Sequence, residues 1–327
     1  MKKNYLDGKS VLITGGTGTF GRAMTRHLLS LPKVKRIIVF SRDEYKQSQM
    51  AAEFQDQRLT FFLGDIRDRA RLHRAFNHID IVIHAAALKQ VPALEYNPSE
   101  AIETNIVGTK NVIDAAHDRN VERVLFISSD KAVQPINLYG ASKMCGERLA
   151  IAGNAYRGRH GKTIISVVRY GNVIGSRGSL VELIEKQKKT GVLTLTDERM
   201  TRFWLHIDDI MHLVTDIISI MEGGEVFVPK MKSLRIVDVM KVLAPECKVK
   251  TIGIRPGEKL HEILLTEHET LRAHDLGTMY VVLPEFLTWS SKNSFAKKKL
   301  FPKGGVYASN DPAYLLSEKD VKKVLKV

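Results

Sequence analysis

Along the first half of the chain, short runs of consecutive apolar residues alternate with longer stretches in which apolar positions recur every three or four residues. Ser10–Thr14, Arg36–Phe40, Leu59–Leu63, Ile81–His84, Arg123–Ile127 and Thr163–Val168 read as strands. Helices are predicted between them: from a glycine-rich turn to about Ser30, over Glu44–Phe54, briefly before Ile81, over Ser99–Arg119 and over Leu138–Arg159. In Ser99–Arg119 the face is marked by Ile102, Ile106, Thr109, Ile113 and Ala116, a helical spacing. Strands alternating with helices predict a doubly wound parallel α/β sheet, because parallel neighbours need crossover connections. A continuous run such as DIVIHAAA fits a strand covered on both faces. Beyond about Arg169 the elements shorten and glycine becomes more frequent. The expected division is 1–169 for the sheet domain and 170–327 for a smaller lobe, some of whose segments return to the main sheet.

Composition narrows the classes. The 327 residues are 44% hydrophobic and 26% charged, ordinary for a globular protein with a real core. Met1–Lys9 is polar, and no run approaches the roughly 18 apolar residues that span a bilayer. Cys145 and Cys247, the only cysteines, lack metal-ligand spacing, so neither a disulfide framework nor a metal site is implied. A cytoplasmic protein that does not engage membranes is expected. The net charge is +14, of which residues 286–327 carry +6, from nine lysines and three acids. The run Lys297, Lys298, Lys299 is read as a solvated face, since no nucleic-acid module accompanies it.

The segment VLITGGTGTFG puts Gly15, Gly18 and Gly21 after the first strand and at the start of a helix, with Thr17, Thr19 and Phe20 among them. That spacing allows a tight turn, close backbone approach to a pyrophosphate and close helix–strand packing, with the helix amino terminus facing the phosphates. It predicts a Rossmann-type dinucleotide site. At the end of the second strand, Ser41, Arg42 and Asp43 carry two signals. An acid there suits the ribose hydroxyls of NAD, whereas a guanidinium suits the 2′-phosphate of NADP. Hydroxyl and guanidinium come first, which favours NADP. Further candidates, which lean partly on the family resemblance given below, are Asp65 and Ile66 beside the adenine, the small Ala85, Ala86 and Ala87, and Lys89 at the carboxyl edge of the sheet.

Tyr139 and Lys143, in NLYGASK, lie four residues apart at the start of a predicted helix and so share one face. A nearby ammonium stabilises phenolate, which makes tyrosine a general base near neutral pH.

With these motifs in place, the chain resembles the extended short-chain dehydrogenase/reductases over nearly its whole length. It is more closely similar to the inverting UDP-N-acetylglucosamine 4,6-dehydratases, a group of polysaccharide-biosynthesis sugar dehydratases. The resemblance is carried by TGGTGTFG, SRDE, HAAALKQVPALEYNP, SSDKAVQPINLYGASK, VRYGNVIGSRGS, MTRFW and IRPGEKLHE. It implies a UDP-sugar substrate, an NADP cofactor recycled at each turnover, and residues 1–169 as the cofactor and catalytic domain. In ordinary members a serine or threonine upstream of the tyrosine bonds the reacting hydroxyl; here Ser128, Ser129, Asp130 and Lys131 add an acid and a base. The implied chemistry gives Tyr139 the proton of the 4-hydroxyl. It gives a neutral Lys131 the proton on carbon 5, and has a protonated Asp130 assist departure of the 6-hydroxyl. Substrate contacts carried over are Lys89, Asn172, Arg202, Arg255 and Glu258. His84 and His206 are expected to pack rather than transfer protons. A homo-oligomer and a place in bacterial surface-sugar synthesis, such as pseudaminic acid, also follow from the resemblance. The alternative is a UDP-sugar 4-epimerase, and more remotely a non-catalytic NADP-sensing regulator.

Overall fold

The computed structural model describes residues 5–157, 161–176, 179–286 and 293–325. Six parallel strands, β1 (Ser10–Thr14), β2 (Arg36–Ser41), β3 (Leu59–Leu63), β4 (Ile81–His84), β5 (Arg123–Ser129) and β6 (Ile164–Tyr170), lie in the order 3-2-1-4-5-6. Every residue of β1 and β4 is buried, as apolar runs covered on both faces require. Register is continuous across the centre, with Ile13 of β1 paired to Val39 on one side and Ile83 on the other. The chain order reverses beside β1, and the crevice at the carboxyl ends of β1 and β4 is where ligands of such sheets bind.

Later segments extend this sheet. Val226–Pro229 joins β6 in parallel, then Met279–Val282 and Ala273–Asp275 add antiparallel edges. Residues between them build a second layer, in which Asn172–Ile174, Thr201–His206 and Lys232–Arg235 form a three-stranded sheet. That layer has its own buried core, including Ile184, Leu195, Trp204, Leu234 and Val239, and Val321 and Leu325 from the C-terminal helix close it. The exposed Lys297, Lys298 and Lys299 run beside the edge strand Ala273–Asp275, whose Asp275 amide donates to the Lys299 carbonyl at 2.7 Å. Charged side chains along a sheet edge discourage edge-to-edge pairing.

Two predicted helices are altered for identifiable reasons. Ser99–Arg119 is not one α-helix: a wide π turn over Ile102–Val107 separates Pro98–Ala101 from Gly108–Asp118. Within it Asn105 leaves the helical pattern to bracket Leu88, accepting from its amide at 2.8 Å and donating to its carbonyl at 2.9 Å. The helix from Leu138 stops at Gly153, because Asn154 turns its amide onto the Ala150, Ile151 and Ile165 carbonyls. The predicted stretch 158–159 lies outside the described residues. No helix among the described residues is long and apolar enough to cross a membrane.

Candidate active site

Gly15 has φ +66°, and a Cβ there would sit 2.8 Å from the Ala86 backbone. The first glycine is therefore fixed by the approach of the Ala85–Ala87 strand end. A Cβ on Gly21 would meet Gly16 at 2.4 Å, so the third glycine lets the helix pack on its own turn. Gly18 is the N-cap of the helix Thr19–Leu29, and no side chain caps it. An uncapped helix terminus over a glycine cradle fits a pyrophosphate, and hence a dinucleotide. The cradle opens into one cleft of about 960 Å³.

All the expected cofactor residues line this cleft: Gly15, Thr17, Gly18, Thr19, Phe20, Gly21, Ser41, Arg42, Asp43, Asp65, Ile66, Ala85, Ala86, Ala87 and Lys89. The two signals after β2 separate. Asp43 caps the helix Glu44–Glu53, accepting from the Lys46 amide at 2.9 Å, and its carboxylate is also paired with the Lys46 ammonium. Arg42 is half exposed, held by a long 3.4 Å contact to Asp65, which is otherwise committed to Arg67.

Tyr139, Lys131, Lys143 and Ser129 line the same cleft, with Ser129 close enough to the phenol to act on it. Burial, with the Asp130 carboxylate adding, holds the Tyr139 phenol above its ordinary value against the lowering effect of Lys131 and Ser129, so the expected drop towards neutral pH is not present in this structure. Lys143 donates to the Ile127 carbonyl at 2.6 Å and lies over the Phe126 ring. Burial pulls its pKa down to about 7 against the opposing effect of Glu147. The spacing argument makes Lys143 the cation that acts on Tyr139; in this structure Lys131 is the lysine that draws the phenol down, while the Lys143 ammonium sits against the Ile127 carbonyl and the Phe126 ring.

Lys131 departs from the expectation of a neutral amine. Burial disfavours its charge, but the carboxylates of Asp130 and Glu262 outweigh that and hold its pKa above the ordinary value. Its Nζ donates to Asp130 Oδ1 at 2.9 Å and to Asn172 Oδ1 at 3.1 Å. Asp130 lies behind it, fully buried and off the cleft lining, accepting from Ser129 Oγ at 2.8 Å. Its Oδ2 is buried with no hydrogen-bond partner.

Of the expected substrate contacts, Lys89, Asn172, Arg202, Arg255 and Glu258 all line the cleft. Arg202 spends its two terminal nitrogens on the carbonyls of Thr201, Lys259 and Leu260, so it also braces the loop that follows Arg255. The motif residues Arg177 and Gly178 lie outside the described residues. His84 is sealed between Thr14 and Thr109, and its pKa is lowered by burial, with Lys143 adding, to about 3. Thr109 gives its proton to the Asn105 carbonyl, which makes it the acceptor of the imidazole Nε2–H. His206 binds the Val324 carbonyl at 2.6 Å. Sequence reasoning did not assign Lys259 or Glu262, although both stand in the quoted IRPGEKLHE; nothing in their spacing shows that the loop folds back onto Lys131.

A 3-2-1-4-5-6 sheet with a glycine cradle, and a tyrosine and lysine at its carboxyl edge, define a nicotinamide-dinucleotide enzyme of the short-chain dehydrogenase/reductase class. The chain belongs to the polysaccharide biosynthesis protein family, whose pattern matches residues 11–284. It is 42% identical over 325 residues to the UDP-N-acetylglucosamine 4,6-dehydratase (inverting) of Campylobacter jejuni, covering 97% of each chain. It is 40% identical over 280 residues, 83% of this chain and 82% of that one, to a UDP-glucose 4-epimerase of Rickettsia canadensis. Among solved structures, Pen from Bacillus thuringiensis superposes with a TM-score of 0.90 at 36% identity, over 98% of both chains. DesIV, a dTDP-glucose 4,6-dehydratase from Streptomyces venezuelae solved with NAD bound, gives 0.68 at 26% identity, over 77% of this chain and 86% of that one.

Proposed function

We propose that the protein is an inverting UDP-N-acetylglucosamine 4,6-dehydratase that uses NADP. The observation that carries this reading is that Lys131 and Ser129 share the cleft with Tyr139 and both are hydrogen-bonded to Asp130 buried behind them. Epimerisation at carbon 4 needs only a base for the 4-hydroxyl and a hydride acceptor; a further acid–base pair suits removal of water across carbons 5 and 6. Residues 1–169 bind the cofactor and carry the catalytic groups, and 170–327 mainly hold the sugar nucleotide. NADP is supported by Arg42, half exposed at the cleft rim while Asp43 is occupied as a helix cap.

A nicotinamide dinucleotide held by the glycine cradle, Ser41 and Arg42 would supply the hydride acceptor for carbon 4 and the hydride donor for carbon 6. Tyr139, with Ser129 beside it, takes the 4-hydroxyl proton. The resulting ketone acidifies the proton on carbon 5, which Lys131 removes after shedding its own. Asp130, a carboxylate at rest, receives the 4-hydroxyl proton from Tyr139 by way of Ser129 and passes it on to the departing 6-hydroxyl; because Asp130 is off the cleft lining, Ser129 is the group through which it reaches the cleft. Reprotonation of carbon 5 on the opposite face gives the 4-keto-6-deoxy sugar of the L-arabino series. A cytoplasmic homo-oligomer goes with this reading. Incubation with UDP-N-acetylglucosamine in heavy water, followed by NMR and mass spectrometry, tests it. Loss of water with deuterium at carbon 5 is expected, whereas a galacto-configured product of unchanged mass would establish the epimerase.

A further inference from the structure

Glu262 is a carboxyl group in the cleft that the reaction as derived leaves unused. It is almost wholly buried, at 2% exposure, and its Oε2 has no hydrogen-bond partner. Oε1 lies 3.5 Å from Lys131 Nζ and 3.7 Å from Arg202 Nε, and Oε2 lies 3.8 Å from Lys259 Nζ. Its backbone is clamped by Ser309, which accepts from the Glu262 amide at 2.9 Å and donates its own amide to the Glu262 carbonyl at 2.8 Å. The C-terminal segment therefore fixes this carboxylate against a lysine that comes from the end of β5.

Lys131 has a difficulty that Glu262 resolves. A charged ammonium cannot remove a proton, and this one is held charged by its neighbours. Asp130, a carboxylate at rest, is a poor recipient for the extra proton because it takes another: the 4-hydroxyl proton, passed from Tyr139 through Ser129, whose Oγ donates to it at 2.8 Å, and handed on to the departing 6-hydroxyl. We propose that Glu262 is the proton partner of Lys131, taking its ammonium proton to free the amine that removes the carbon 5 proton. This rests on the dehydratase reading above.

The step balances. One N–H bond of Lys131 breaks and one O–H bond forms on Glu262, so an ammonium–carboxylate pair becomes amine and acid with no change in net charge. The carbon 5 C–H bond then breaks, its proton joins Lys131, and the electron pair forms the enolate. The groups facing Glu262 are Lys131 and Asp130 from the end of β5, Arg202 from Thr201–His206, and Lys259 from its own loop. Glu258 reaches Arg202 at 3.9 Å, and His261 turns away to Thr201. Burial, with Asp130 adding, raises the Glu262 pKa against the lowering effect of Lys131, Arg202 and Lys259. A raised carboxyl is the better match for a proton leaving an ammonium.

Three readouts on E262Q and E262D with UDP-N-acetylglucosamine test the proposal: reduced-nicotinamide absorbance in a single turnover, deuterium entry at carbon 5, and release of dehydrated product. In E262Q, nicotinamide reduction is expected within about threefold of the wild-type rate, because Glu262 reaches Tyr139 only through the Lys131 charge, which glutamine leaves in place. Deuterium entry and dehydration fall about 100-fold. E262D recovers at least about a tenth of the loss, as a shorter group with the same chemistry should. E262Q activity climbs with pH, about tenfold per unit, because Lys131 must now deprotonate to solvent; wild type is flat over that range and loses activity as pH falls through the raised Glu262 pKa. Dehydration by E262Q within about threefold of wild type, or a flat pH profile, overturns the proposal. So does loss of nicotinamide reduction together with a raised KM, which marks a binding role. Failure of the wild-type protein itself to release water would instead sink the dehydratase reading.

Discussion

Replacement of Arg42 by alanine isolates the cofactor choice. In the structure the guanidinium is half exposed and makes one long 3.4 Å contact to Asp65. An exposed pair of that kind contributes about 0.2–1 kcal/mol, so little is lost when the side chain swings to a 2′-phosphate. A hydrogen-bonded guanidinium–phosphate contact contributes about 1.5–3 kcal/mol. The net stabilisation of bound NADP is therefore about 1–2.5 kcal/mol, a roughly 5- to 70-fold change in Kd. NAD, with hydroxyls in place of the phosphate, should bind R42A and wild type within about twofold. Calorimetric titration of both proteins with both cofactors reads all four constants. R42K serves as a control, keeping the charge but losing the fork, and should fall between them. Equal weakening of NAD and NADP would refute the reasoning, since it would mean that Arg42 supports the pocket rather than reading the phosphate.

Lys131→Ala should cut dehydration by at least about 100-fold while leaving NADP affinity within about twofold, and normal turnover would remove Lys131 from the mechanism. Isotope-edited NMR of lysine side chains should show one Nζ titrating near 7 in the cofactor-free protein, absent from K143M. Since that folded pKa lies below the unfolded one, the unfolded chain binds more protons above about 7. Stability from this group therefore rises with pH from there towards about 10.4, and K143M should lose that slope in denaturant titrations. Arg169 is buried between Glu147 and Glu269 at 2.7 and 3.0 Å and also donates to the Leu264 carbonyl. R169M strands two buried carboxylates, so calorimetry should record a loss of about 3–5 kcal/mol, a melting point roughly 5–10 °C lower; an unchanged Tm would show that the pair re-solvates freely.

The local elements and the glycine cradle were legible because both are written in short-range pattern. Buried parallel strands must be apolar runs, as Val11–Ile13 and Ile81–Ile83 are. The turn at Gly15 needs a residue without a side chain whatever lies beyond it. Tyr139 and Lys143 share a face through helical geometry alone. The π turn at Ile102–Val107 was not legible, because it depends on Asn105 finding Leu88 and Ser142, residues distant in sequence.

The charge state of the inner site belongs to the tertiary structure alone. Sequence placed Asp130 beside Lys131 and suggested an acid and a base. It could not show that Asp130 is sealed behind the lysine, or that Glu262, 131 positions on, closes over it with Arg202 and Lys259. Whether a lysine is a base or a cation depends on the carboxylates within a few ångströms and on the water excluded around them. Those are set by which loops the fold brings together, and spacing along the chain carries no record of that.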